Sequence, residues 1–245
     1  MNRKTAFGIS LLVLAGITAA LLICLPKRDT SIPISPPETA ETEKKETDYT
    51  SKIDFEKLRK KNPDICGWLS IPGTEIDYPV LQNPEDDYLY MYHNADRQED
   101  KNGALFTEHE YNGTDFTDPV TIIYGHHMKS GAMFGNLQQM YTDDFEAYRD
   151  VVVYTPAAEL HYRVFAAVPY SNRHILYFYD KFPMQETIEE FVDELLSIRA
   201  IGSTVDDTVE VETGDRFLVL STCLQGDNTK RFLVVGKLVG DEQTA

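Results

Sequence analysis

The chain has 245 residues, with 40 Asp or Glu against 23 Lys or Arg and a formal net charge of −17 at pH 7. No basic stripe is available for phosphates, which excludes nucleic acid as a partner, and an acidic exterior discourages docking of the whole surface on anionic lipid. Three cysteines make no disulfide framework, and no CxxC pair or His-rich cluster has the spacing of a zinc site.

Arg3-Lys4 precede an apolar run from Ala6 to Leu25. About 20 such residues span about 30 Å of hydrocarbon as a helix, so residues 6–25 are read as a transmembrane anchor behind a short cytoplasmic tail, 1–5. A cleaved signal peptide is the rival, but its apolar region would end at a small-x-small site, and here Ala19-Ala20 lies inside the run. Lys27-Arg28 balance Arg3-Lys4, so the positive-inside rule leaves orientation open; the very short tail favours N-terminus inside and the remainder outside. Residues 26–50 hold Pro33, Pro36 and Pro37 with many Thr and Glu, and read as a disordered spacer. What remains, 51–245, is roughly 190 residues and sufficient for one domain with its own core.

Ser51 to Lys61 is predicted as a helix, with Ser51 or Asp54 as cap, Phe55 and Leu58 on one face, and Pro63 ending it. Gly67 to Ile71 reads as a strand before a Pro72-Gly73 turn. Ile76 to Leu81 reads as another, with Pro79 marking an edge or bulge. Val120 to Tyr124 is a buried strand and Phe134 to Met140 a short helix or turn. Val151 to Tyr154 and Leu160 to Val168 flank Thr155 to Ala158 as a hairpin. Pro183 suits the first position of a long helix, with Ile188, Phe191, Val192, Leu195 and Leu196 at helical spacing, acidic residues opposite, and Gly202 at its end. Val209 to Glu212 is predicted as a short strand. Two further strands end the domain, one finishing at Cys223 and one opening at Phe232. Many strands with short connections and one long helix packed outside a sheet predict a mainly β fold, a closed or partly closed barrel.

Cys24 lies in the apolar run, and Cys66, between Ile65 and Gly67, reads as a small buried hydrophobe. Cys223 ends the apolar strand Val219-Leu220-Ser221-Thr222-Cys223, and Arg231 opens the next strand eight residues on. A thiol and a guanidinium at facing strand ends support acyl transfer, one attacking a carbonyl and the other opposing the charge that develops. The loop between them is taken as Leu224 to Lys230. The chain offers six histidines as the base. His93, His109, His161 and His174 read as surface residues. His126 directly follows Gly125 at the end of a buried strand and is the candidate proton carrier, with His127 as support or surface.

Tyr124-Gly125-His126-His127-Met128, Leu220-Ser221-Thr222-Cys223 and Lys230-Arg231-Phe232 resemble the His, Cys and Arg blocks of the sortases, membrane-anchored cysteine transpeptidases of Gram-positive bacteria. The N-terminal helix with Asn62-Pro63-Asp64-Ile65-Cys66-Gly67-Trp68-Leu69, the segment Gly103-Ala104-Leu105-Phe106, and the helix from Met184 to Ala200 are similar to class B members. The resemblance implies a sortase-like closed β-barrel with an N-terminal helix and a long amphipathic helix inserted before the catalytic strand pair. It implies Cys223 as nucleophile, His126 as proton shuttle and Arg231 as carbonyl or oxyanion partner. Leu89, Tyr124, Leu220, Ser221 and Thr222 would contact substrate. No cofactor and no metal are implied. The implied reaction cleaves a C-terminal LPxTG-like sorting signal between Thr and Gly through a thioester on Cys223, and passes the surface protein to an amine of peptidoglycan or its lipid-linked precursor. Pilin polymerisation and hydrolysis by a cysteine peptidase are the alternatives. A papain-like peptidase would place its cysteine early and on a helix, whereas here the histidine comes first. A scaffold module on a membrane stalk would need no exposed thiol.

Overall fold

Nine strands carry the architecture: β1 Ile65–Ser70, β2 Asp77–Leu81, β3 Leu105–Phe106, β4 Val120–Tyr124, β5 Asp150–Tyr154, β6 Glu159–Tyr170, β7 Thr204–Val205, β8 Phe217–Leu224 and β9 Asp227–Glu242. The computed structural model describes residues 49–242. The expected tail and anchor, and all but the last two residues of the expected spacer, lie outside them. Among the described residues no helix is long and apolar enough to cross a membrane. The strands lie in the order β5-β1-β2-β3-β4-β8-β9-β6-β7, and β5 pairs again with β6, so every strand but β7 joins a closed barrel. β2–β3 and β4–β8 are parallel and the other pairs antiparallel.

Period-two alternation sorts the side chains into two cores. Leu218 and Leu220 of β8, Val234 of β9 and Ile123 of β4 point into the barrel with Leu69, Val80 and Leu105. Phe217 and Val219, Leu233 and Val235, and Val120 and Ile122 point outward. Both faces of β4, β8 and β9 are therefore buried, which is why these strands read as continuous apolar runs. The outer face is covered by α3, Ile175–Phe178, and α4, Gln185–Ser197, through Ile188, Phe191, Val192 and Leu195. Burying each such side chain contributes about 1.5–3 kcal/mol. Glu194, on the face of α4 expected to be solvated, is half-buried instead and accepts from Tyr170 Oη (2.8 Å) and Tyr179 Oη (2.6 Å) beside Arg173. α1, Phe55–Lys61, is capped by Asp54, whose side chain accepts from Lys57 N, and ends at Asn62 before Pro63. It packs Phe55 against Ile65, Leu81 and Tyr90 in a third cluster.

Several elements depart from the sequence reading. α4 is shorter at both ends: Pro183 precedes its first residue by two positions, and Ile198 already has extended backbone. Val209 to Glu212 forms no strand; Val209 and Val211 pack on the outer core from an irregular segment, and β7 supplies the short strand instead. α2, Leu137–Asp143, begins later than predicted because Phe134 is spent on the barrel core. Pro79 sits where β2 has only β1 beside it, since β3 pairs with Val80 and Leu81 alone. The supposed loop from Leu224 to Lys230 is a tight hairpin: Leu224 pairs with Asp227 across Gln225-Gly226.

Phe191 is fully buried between α4 and the sheet. Phe191→Ala is expected to lower unfolding stability by about 3–5 kcal/mol, read as a fall in urea midpoint at constant slope.

Candidate active site

The parallel register of β4 on β8 sets Tyr124 opposite Ser221, so His126 and Cys223, each two residues further, leave the sheet side by side. The antiparallel register of β8 on β9 then sets Cys223 opposite Arg231. Tyr124, Ser221, Cys223, Arg231 and Leu233 fall on the outward face by alternation, with Leu233 in the core under α3 and α4 and Cys223 and Arg231 half-buried at its margin. Arg231 Nη1 donates to Cys223 Sγ at 3.4 Å. Both side chains are half-buried, as is His126. Cys66, by contrast, is buried, donates to Val80 O at 3.3 Å, and has its thiol pushed up to about 12 by burial. Among the described residues Cys223 is therefore the thiol fit for chemistry.

His126 Nε2 lies 2.7 Å from Met91 O. A carbonyl only accepts, so Nε2 carries hydrogen and neutral His126 keeps Nδ1 free to take or give a proton. Met91 closes a one-turn 3-10 segment, Leu89–Met91, and Gly103 packs beneath it with φ +60. A Cβ at Gly103 would stand 2.5 Å from Tyr90 O and 2.8 Å from Met91 O, so only glycine lets the chain pass under this turn. The turn is fastened from the other side: Tyr90 Oη donates to Asp64 Oδ2 at 2.7 Å and accepts from Asn62 Nδ2 at 2.8 Å, and Arg97 pairs with Asp64 at 2.7 Å. Asn62 and Asp64 thus position the carbonyl that orients His126. Gly125 is required by close approach and not by a turn, since its Cβ would meet Leu105 Cδ2 at 2.5 Å and Phe134 Cδ2 at 2.6 Å. His127 turns aside, bridging Met133 through its backbone, with Nδ1 buried.

A cleft runs over this face in two lobes that share Met91, Phe106, Tyr124, Ser221 and Arg231. The near lobe holds Gly125, His126, Thr222 and Cys223. The far lobe reaches Tyr88, Glu108 and the segment Ser171 to Ile175. Of the substrate contacts read from sequence, Tyr124 and Ser221 line both lobes, and Thr222 lies buried beneath the near one. Leu220 does not reach the cleft; it points into the barrel core, one odd step from Cys223 in a strand of period two. Leu89 and Met91 both pack against the cluster that holds Phe55 and Leu81, but only Met91 also lines the cleft. His174, read as a surface residue, lines the far lobe with its Nε2 2.9 Å from Glu108 Oε2. Nothing local in the sequence pairs those two residues. The Tyr124 phenol is pushed well above its usual range by burial, then by the charge of Glu108 and a hydrogen bond to it, while Arg231 pulls the other way.

A thiol, an imidazole with one free nitrogen and a guanidinium at one end of a peptide-sized cleft define a cysteine acyl-transfer enzyme. The sequence model of the sortase domain matches residues 69–239, and the chain belongs to the sortase family. Sortase B of Listeria monocytogenes is 34% identical over 184 residues, 74% of this chain and 72% of that protein. A Staphylococcus aureus sortase B–substrate complex superposes with TM-score 0.65 at 28% identity, covering 76% of this chain and 84% of that one. A Streptococcus pyogenes class B sortase involved in pilus biogenesis superposes with TM-score 0.65 at 25% identity, covering 76% and 98%. The relatives are class B sortases, and the activity is that of a cysteine transpeptidase that anchors or processes surface proteins.

His126→Ala is expected to reduce peptide turnover by about 10²–10⁴-fold, the usual size of a general acid–base contribution. His127→Ala, measured in parallel by product chromatography, should retain at least a tenth of wild-type turnover; the reverse order would reassign the proton carrier.

Proposed function

We propose that the chain cleaves an LPxTG-like C-terminal sorting signal between Thr and Gly and transfers the surface protein to a peptidoglycan amine. Cys223 sulfur attacks the threonine carbonyl carbon as His126 takes the thiol proton, and the tetrahedral oxyanion forms beside the Arg231 guanidinium and a backbone N–H. The C–N bond breaks as His126 delivers a proton to the departing glycine amine, leaving a thioester on Cys223. An acceptor amine then attacks the thioester, His126 takes its proton, the new amide forms and the sulfur leaves. The supporting observation is the 3.4 Å contact of Arg231 Nη1 with Cys223 Sγ at the end of a cleft that also holds His126. Arginine suits this place because its planar fork donates to sulfur and to an oxyanion from one fixed position.

The same reading puts residues 6–25 in a bacterial cell membrane as a single-pass anchor, with 26–50 as spacer and the catalytic domain on the outer, Gram-positive cell surface. The apolar run of 6–25 and the Pro- and Glu-rich composition after it support this.

Cys223→Ala is expected to abolish cleavage and transfer while leaving the thermal melt in place, and mass spectrometry of wild type with sorting peptides should find an acyl adduct on Cys223.

The acceptor is tested on the chain lacking residues 1–50. With a cognate peptide alone the enzyme should hydrolyse slowly, and a cross-bridge-type amine should divert product from acid to amide in proportion to its concentration. A product ratio indifferent to amine would indicate a hydrolytic peptidase, and preference for a pilin lysine would indicate pilus assembly.

A further inference from the structure

Glu108 is 2% exposed, lines the far lobe, and takes part in none of the steps above. Burying a carboxylate is costly unless it is paired and hydrogen-bonded, so its neighbours matter. They come from three separate segments. His174 Nε2 stands 3.1 Å from Oε1 and 2.9 Å from Oε2. Its other nitrogen, Nδ1, accepts from Tyr177 N at 3.1 Å and so caps α3. Nε2 therefore bears hydrogen even in neutral His174 and donates to the carboxylate. Tyr124, at the end of β4 and half-buried, and Tyr88, just before the turn that carries Met91 and 54% exposed, line the same lobe as Glu108. The Tyr124 phenol is pushed up by burial first and then by the charge of Glu108 and a hydrogen bond to it, and the more exposed Tyr88 phenol is pushed the same way by partial loss of water and then by Glu108. Tyr124 also stands between Glu108 and Arg231 in the shared part of the cleft. Among the described residues Arg231 has no ion-pair partner, so its charge stays available to the reaction.

We propose that Glu108 is a positioning residue for the cleft: its carboxylate ties Tyr124, Tyr88 and the wall capped by His174 together, and so fixes the width of the lobe that takes the sorting peptide. The proposal rests on the peptide-cleft reading above. It acts through the walls and not on the reacting atoms, so it makes a distinction between small and extended reagents that a purely structural role would not.

The test measures second-order alkylation of Cys223 in the full-length chain by iodoacetamide and by a peptidyl chloromethyl ketone. Glu108→Gln should leave the iodoacetamide rate within about 2-fold and lower the peptidyl rate by about 10-fold or more, the scale of a hydrogen bond to a charged group. Tyr124→Phe should produce part of the same loss, and the double variant should lose less than the product of the two, because one contact is being removed twice. If Glu108→Gln fails to fold, Tyr88→Phe, which removes one hydroxyl at the rim, should still lower the peptidyl rate selectively by about 3-fold. An unchanged peptidyl rate, equal loss with both reagents, or strictly multiplicative losses would overturn the proposal. A wild-type enzyme that accepts the peptidyl reagent but transfers no acyl group from sorting peptides to any amine would instead refute the proposed substrate, and the selectivity comparison would still decide the role of Glu108.

Discussion

The parallel pairing of β4 with β8 determines where every reacting group stands. Tyr124 opposite Ser221 brings His126 and Cys223 out of the same sheet edge, although ninety-odd residues separate them in sequence, and the antiparallel partner β9 adds Arg231 across from the thiol. A slip of one residue in either register would turn Cys223 or Arg231 to the opposite face of the sheet. Such slips are resisted because β4, β8 and β9 bury both faces, one in the barrel and one beneath α4. The packing that makes the barrel stable is thus what holds the site geometry.

The sheet does not hold the whole site. The imidazole is oriented by a loop carbonyl, and that loop is held by buried Asn62, Asp64 and Tyr90 with exposed Arg97 paired to Asp64 on one side of it, and by the narrow passage at Gly103 on the other. At the far lobe the proposed role of Glu108 is similar, with His174 at the start of α3 as its partner. The network of Asn62, Asp64 and Tyr90 is satisfied internally, which is the condition under which buried polar groups add rigidity.

Much of this was legible in the sequence for local reasons. An apolar strand ending in Gly-His, and a cysteine and an arginine at adjoining strand ends, are short-range patterns, and the strands β4, β5, β6 and β8 follow from composition alone. The parity of β8 also carried a message: an odd offset from Cys223 sends Leu220 inward, and alternation alone gives that answer. Leu89 and Met91 differ in fate because a 3-10 turn separates them, which no periodicity announces. The Glu108–His174 pair spans 66 positions and a crossover, so only tertiary structure joins it. Val209 to Glu212 has strand composition, yet Val209 and Val211 are spent on packing against the outer core and the segment joins no strand.

The closing seam of the barrel has a consequence for folding. Without β8 and β9, the pairings that remain run β4-β3-β2-β1-β5-β6, an open sheet whose two edges are β4 and β6. The β8–β9 hairpin inserts between those edges, and the nucleophile and its arginine arrive with it. Enzyme and zipper are one object: a chain whose β8–β9 hairpin has not docked has neither a closed barrel nor a thiol set beside His126, so activity becomes possible only after the seam has closed.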